Sequence, residues 1–453
     1  MNATSDLTII EQCRISPPPF TIGHRSMPLT FFDMTWLLFP PVHHTFFYDF
    51  PHSKSHFLET VVPNLKHSLS LTLQHFFPFV SNLFVFTVPD HSGLIKKPEI
   101  RHVEGDYVAL TFAESSADFT DLTGNHPRKC EKFYPLVPHL GKAVKTSDYV
   151  SIPLFSVQVT FFPNSGISIG TTNHHSLADA TTRFRFLKVW TSMAKFGEDR
   201  SDILTRAPPI YDRLIDIPKL DEKKLKETKL ESFYQPPSLV GSGGDKVRAT
   251  FVLARTNIDR LKKMVVTQLP EVEYVSSFTV TCSYIWSCIA RSQAKICKDD
   301  LEQFIFTVDC RSRLDPPVPA AYSGNCGAPC IVTIKSVVLS GENGFLTAVK
   351  LFGEGITKMV NNKDGILKDA EKWHDGFKVP ARKIGIAGTP KLDFYAMDFG
   401  WGKVKKYETI SIDYNSSISI TSGRESTQDV EIGLCFPSLQ MKAFGKIFNV
   451  GLV

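Results

Sequence analysis

No stretch of this chain approaches the roughly 18 consecutive apolar residues of a membrane-crossing helix, although 42% of its residues are hydrophobic and 35 are Phe. That absence argues against a membrane protein and predicts an ordinary soluble globular one. The beginning, MNATSDLTIIEQC, has no basic stretch followed by an apolar one, which predicts neither a secretory signal nor a transit peptide, and so a cytoplasmic protein. Cysteine gives no framework: there are nine, an odd number, with no CxxC pair and no His–Cys spacing suited to a metal. Reduced, buried thiols are therefore expected in place of disulfides or a metal centre, Cys326 and Cys330 included. Charge of neither sign dominates. A formal +5 over 453 residues is too small and too dispersed to suggest nucleic acid, while it tolerates an anionic ligand such as a nucleotide phosphate. Repeats and low-complexity tracts are also missing, so kinship between the two halves cannot be argued from the letters.

What is present is length and alternation. A chain of 453 residues exceeds the size at which one hydrophobic core usually stops growing, so two domains are expected. Apolar and polar residues alternate through SVQVTFF, break at Pro163-Asn164-Ser165-Gly166 and resume in ISIGTT, predicting a β-hairpin. His174 and His175 stand at its exit. In the SLADATTRFRFLKVWTSMAKF that follows, Leu177, Phe184, Leu187 and Trp190 recur near helical spacing. Between about 195 and 248 the composition shifts to prolines, the lysine-rich DEKKLKETK and GSGGD, the marks of a surface crossover, with the lysine run also readable as a short solvated helix. The expected division is an N-terminal domain 1–205, a crossover 206–248 and a C-terminal domain 249–453. In the last of these RATFVL, QFIFTVDC and ETISIDY read as strands, NIDRLKKMVV and SSFTVTCSYIWSCIARS as helices.

Two HxxxD strings occur, His102 to Asp106 and His175 to Asp179, and with 14 His about one match arises by chance. The first contains a glycine and runs into YVALTF, the pattern of a turn entering a strand. The second lies where strand meets helix, a junction that presents a side chain to a cleft from a rigid scaffold. A plainer alternative is a hydrogen-bonded histidine at a helix start, with Asp179 in the favourable first turn. Gly166-Ile-Ser168-Ile-Gly170 matches the GxSxG of serine hydrolases, but an elbow needs its Ser on a sharp turn, and Ser168 lies within an alternating strand between two β-branched Ile. GSGGD lacks the lysine and helix of a phosphate loop. About 220 residues beyond His175, Asp398-Phe-Gly-Trp-Gly402 specifies a tight backbone: Gly400 and Gly402 allow angles other residues resist, and Asp398 can accept hydrogen bonds.

HHxxxD after a hairpin together with DFGWG near the end of a chain this long resembles the plant BAHD acyltransferase family. The likeness runs through PLTFFDMTW, QHFFPF, VDCRSRLDPPVP and DVEIGLCFP, and Tyr322-Ser-Gly-Asn-Cys326 is similar to the YFGNC signature of the branch acting on anthocyanin and flavonoid glycosides, with Ser323 in place of Phe. The resemblance implies an α/β (α+β) fold of two similar domains, each a mixed β-sheet packed with helices, with a solvent channel between them. It implies His175 as the base that deprotonates an acceptor hydroxyl, and Asp179 turned away to pair with Arg311. Trp401 is implied to lie near the channel as an oxyanion donor, with Asp398, Gly400 and Gly402 shaping its turn. Trp36 and Arg183 are implied on the acyl-donor side. The co-substrate is acyl-CoA, malonyl-CoA if Arg183 receives a free carboxylate and a hydroxycinnamoyl-CoA otherwise; the acceptor is a small-molecule glycoside. A monomer with no metal, no permanent cofactor, no nucleic acid and no membrane partner is expected. Two other classes stay open: a serine esterase using Ser168, and a non-catalytic protein that only binds a flavonoid or CoA ester.

Overall fold

The computed structural model describes residues 7–89, 96–197, 204, 206–228, 244–272, 275–295 and 297–452. The predicted hairpin forms from strands Phe155–Phe162 and Gly166–Asn173, turning at Asn164 with φ +57°. It lies at the centre of a six-stranded sheet in the order Leu7–Ile15, Val108–Ser115, Phe155–Phe162, Gly166–Asn173, Val42–Asp49, Lys406–Thr409. Every residue of both hairpin strands is buried. The apolar face meets helix Ala180–Phe196, whose Phe186, Leu187, Trp190 and Met193 join Phe46, Tyr48, Val157 and Val159 in one core. Each such side chain contributes roughly 1.5–3 kcal/mol by leaving water.

The other face of the hairpin, polar in sequence, is covered by the segment around 133–139. Gln158 donates to the Pro135 carbonyl at 2.7 Å and Ser156 to that of His139 at 3.0 Å. This cover explains the second glycine of the GxSxG string, since a Cβ on Gly170 would stand 2.0 Å from the Leu136 carbonyl oxygen, while one on Gly166 would run into the Phe119 ring. Ser168 is fully buried in mid-strand, opposite Phe47 and Thr160, so no nucleophile elbow exists.

A seven-stranded sheet, ordered Gly327–Lys335, Leu301–Asp309, Arg382–Ala387, Ser417–Ser422, Val430–Pro437, Lys246–Leu253, Arg128–Lys129, carries the second large core with helices Arg255–Gln268, Ser277–Arg291, Gly344–Val360 and Ser438–Val450. A third, five-stranded sheet contains Glu99–His102, where the discarded string sits: the His102 ring bonds the Gly23 carbonyl at 2.9 Å and Asp106 accepts from Asn82 at 2.9 Å. Both are structural. Among the described residues no helix is long and apolar enough to cross a membrane.

The two halves exchange edge strands across the division expected from composition. Lys406–Thr409 pairs antiparallel with Val42–Asp49, and Arg128–Lys129 with Lys246–Leu253. Where they cross, Arg128 meets Glu408 at 2.9 Å, and Arg248 meets Glu408 and Asp413 at 3.0 Å each, all buried. Burial by itself would raise the Glu408 carboxyl, but the two arginines hold it down to about 2. This network also corrects one expectation. ETISIDY is not a strand throughout: after Thr409 the chain winds into the 3₁₀ turn Ile410–Asp413, which carries Asp413 inward to Arg248. In the crossover, the lysine run forms helix Pro218–Glu227, with Pro at its first position where a missing N–H costs nothing. Residues 241–243 of GSGGD lie outside the described residues.

Candidate active site

Strand Gly166–Asn173 ends beside Val42, and the chain turns through His174 into a short 3₁₀ segment, His175–Leu177, before Ala178 extends again. The His174 ring accepts from the Ser176 N–H at 3.2 Å and caps this turn. Asp179 is then the N-cap of helix Ala180–Phe196, accepting from the Thr182 N–H at 2.9 Å. His175 and Asp179 therefore do not share a helix face, because an extended residue separates the 3₁₀ turn from the cap. The second Asp179 oxygen lies 2.8 Å from Arg311, which also donates to the carbonyls of Tyr322 at 3.2 Å and Gly324 at 3.0 Å.

The YSGNC segment locks the histidine from the other side. Asn325 donates from its side chain to the His175 carbonyl at 3.0 Å and to Asp33 at 3.1 Å, and its own N–H reaches the same Asp33 oxygen at 2.8 Å. Asp33, almost fully buried, accepts with its other oxygen from Thr30 N–H and hydroxyl at 3.0 and 2.8 Å, and Arg213 stands 3.4 Å away. Ser176 closes the loop by donating to the Asp33 carbonyl at 3.0 Å, and the Thr182 hydroxyl bonds both the N–H and the carbonyl of Gly324. Four segments distant in sequence thus meet around one backbone turn. Asp33, Asn325, Thr182 and Arg213 had no recognisable signal in the sequence beyond lying in or near family motifs.

The His175 imidazole lies flat on the Trp36 indole, centroids 3.9 Å apart and 9° between planes, with Phe39 edge-on at 5.4 Å. This apolar surround pushes the ring down from 6.5 to about 4; the charge of Arg183 adds to the shift, while the nearby residue-175 carbonyl and the Asn325 amide oppose it. A drop of that size is worth about 3 kcal/mol and exceeds the 0.5–2 kcal/mol by which an aromatic face favours a cation, so the ring is neutral at pH 7. A neutral imidazole can take a proton. The base is lost only when the ring is protonated, so kcat/KM is expected to stay level from pH 8 through 6.5 and to fall toward pH 4. A pH–rate profile in which activity halves near 6.5, with the protein still folded by circular dichroism, would contradict this.

Arg183 is buried on the same helix. One terminal nitrogen meets the His44 ring, the other donates to the Tyr407 hydroxyl at 3.2 Å, and the guanidinium carbon lies 5.2 Å from the Phe394 ring centroid. No carboxylate pairs with it among the described residues. Trp401 lies elsewhere. Asp398 accepts from the N–H groups of Gly400 and Gly402 at 2.8 and 2.9 Å, both glycines at φ near +100°, and meets Lys195 at 2.5 Å. Lys195 is at the far end of helix Ala180–Phe196, and fifteen residues at 1.5 Å each put it about 22 Å from the His175 end. Trp401 packs on Tyr48 and Phe50, at the opposite end of the sheet from His175. That separation from His175 does not fit the expected role of its indole as an oxyanion donor; DFGWG braces the helix's C-terminal end instead.

The sequence pattern of the Transferase family matches residues 5–450. The chain is 67% identical, over 100% of its length and 99% of the relative's, to malonyl-coenzyme A:anthocyanin 3-O-glucoside-6''-O-malonyltransferase of Dahlia pinnata. It is 35% identical, over 98% and 97%, to coumaroyl-CoA:anthocyanidin 3-O-glucoside-6''-O-coumaroyltransferase 2 of Arabidopsis thaliana. In fold it is similar to vinorine synthase, with TM-score 0.68 at 19% identity, covering 96% of each chain. With a family match over nearly its whole length and close relatives that transfer acyl groups, this chain belongs to the Transferase family, the BAHD acyltransferases.

Proposed function

We propose that the enzyme transfers malonyl from malonyl-CoA to a sugar hydroxyl, the 6-OH, of an anthocyanin or flavonoid glucoside. The observation that carries the donor is Arg183: a guanidinium, 6% exposed, bonded to the His44 ring and the Tyr407 hydroxyl and without a carboxylate partner among the described residues. Burying such a cation is costly unless an anion answers it, and the malonyl carboxylate is an anion of matching bidentate geometry. The aromatic donors of the hydroxycinnamoyl relatives would leave it unanswered, so a hydroxycinnamoyltransferase is the weaker reading.

In the reaction, neutral His175 takes the proton of the sugar hydroxyl while that oxygen attacks the thioester carbonyl. The tetrahedral adduct then collapses by breaking the C–S bond, and His175 returns the proton to the departing CoA sulfur. No acyl-enzyme forms. Asp179 acts by holding the turn through Arg311. Trp36, flat against the imidazole, keeps the ring in one orientation and out of water. The same reading takes the enzyme as a cytosolic monomer with no permanent cofactor.

The test is CoA thiol release from malonyl-CoA and coumaroyl-CoA in parallel, with an anthocyanin 3-glucoside as acceptor, for the native enzyme and Arg183→Ala. Malonyl-CoA is expected to be preferred, and Arg183→Ala to lower its kcat/KM by about 10- to 100-fold, the worth of a charge-assisted bidentate pair. Preferred use of coumaroyl-CoA, with Arg183→Ala silent, would overturn the donor assignment.

A further inference from the structure

We propose that His44 and Tyr407 complete the donor-carboxylate site, so that selectivity for an acidic acyl group depends on three residues contributed by three separate segments. The inference rests on the malonyl reading. His44 belongs to strand Val42–Asp49 and Tyr407 to the exchanged edge strand Lys406–Thr409, and their rings lie nearly parallel with centroids 5.8 Å apart. Arg183 reaches between them from helix Ala180–Phe196, one terminal nitrogen on the His44 ring and the other on the Tyr407 hydroxyl, while its Nε–H finds no partner among the described residues.

Each neighbour has a distinct task. Burial, followed by the charges of Arg183, His43 and His175, keeps the His44 imidazole well below its ordinary range. It is therefore an uncharged acceptor that orients the guanidinium without competing for an anion. The Tyr407 oxygen accepts from Arg183, which leaves its own O–H proton free to donate. Phe394, stacked on Tyr407 at 4.9 Å, fixes that ring. An incoming carboxylate would thus meet unanswered guanidinium N–H groups and one hydroxyl donor in a buried place, where such bonds count most. A neutral acyl group engages none of them. His44 is the register partner of Thr171, four residues ahead of His175 on strand Gly166–Asn173, which puts this cluster near the catalytic histidine.

Donor recognition through a short edge strand from the other half of the chain has no local sequence mark, and it makes Tyr407→Phe the cleanest probe, since the ring and its packing stay. The measurement is the ratio of dissociation constants for malonyl-CoA and acetyl-CoA by titration calorimetry, with KM and kcat for malonyl transfer, in Arg183→Ala, Tyr407→Phe and His44→Leu. The inference expects Tyr407→Phe and His44→Leu each to cut the malonyl preference by about 10-fold or more, mainly through KM, as loss of a hydrogen bond to a charged group would. If Arg183→Ala abolishes the preference while the other two keep it, this inference falls and the donor reading stands. If all three keep it, the donor reading falls as well.

Discussion

Replacing His175 by Ala should lower kcat for acyl transfer by about 10²- to 10⁴-fold while the protein stays folded. The size follows from the loss of proton transfer in the transition state. No neighbour can take over: His174 points its ring nitrogen at the Ser176 N–H, and His44 is engaged by Arg183. The fold is spared because the locking contacts are made by the backbone of residue 175. Asn325 holds its carbonyl, and Ser176 and Asp179 carry the remaining bonds of the turn. CoA thiol release and a thermal melt on the same preparation measure both halves of this expectation. Activity within a few-fold of the native enzyme would remove His175 from the mechanism. A collapsed melting temperature would instead show that the stacked ring, not the backbone lock, organises the turn.

The largest effect on stability is expected from Arg311→Ala, at about 3–5 kcal/mol. Arg311 is 4% exposed and serves Asp179 together with the carbonyls of Tyr322 and Gly324, so its removal leaves the Asp179 carboxylate without its cation and the Tyr322 carbonyl without this donor, while Gly324 keeps only the Thr182 hydroxyl. The turn that carries His175 loosens with them, and kcat should fall in parallel. Urea denaturation of Arg311→Ala, Asp179→Ala and the double variant separates the causes. If the cost is that of an unanswered charge, the double variant will be more stable than Arg311→Ala alone. If it is less stable by the sum of the two, the pair contributes by packing and the electrostatic account fails.

Much of the site was legible one segment at a time. Alternation in SVQVTFF and ISIGTT and the helical spacing of Leu187 and Trp190 located the strand-to-helix junction where His175 stands. The two HxxxD strings were told apart by what flanked them, and the strand context of Ser168 weighed against an esterase that only its buried place in mid-strand removed. The errors have a shared origin. Trp401 of DFGWG was implied to lie near the channel because both motifs mark the family, but a motif says nothing about distance, and the helix between them is itself the spacer. ETISIDY alternates like a strand, yet Asp413 follows the pull of Arg248 into a turn.

By itself, then, the sequence determined which segments become strands and helices and which histidine stands at the strand-to-helix junction. These are properties of neighbours in the chain, set by burial patterns with periods near two and 3.6 residues. Tertiary structure decided the rest. Asp33 meets Asn325 across 292 positions, and Arg183 meets Tyr407 across 224. It also decided that Arg183 is buried beside a neutral histidine and is not a solvated helix arginine, because its surroundings come from two strands distant in the chain. Contacts at such separations leave no periodic trace. They exist only once packing of the two cores and exchange of their edge strands have brought the segments together, and the charges at the site take their character from that burial.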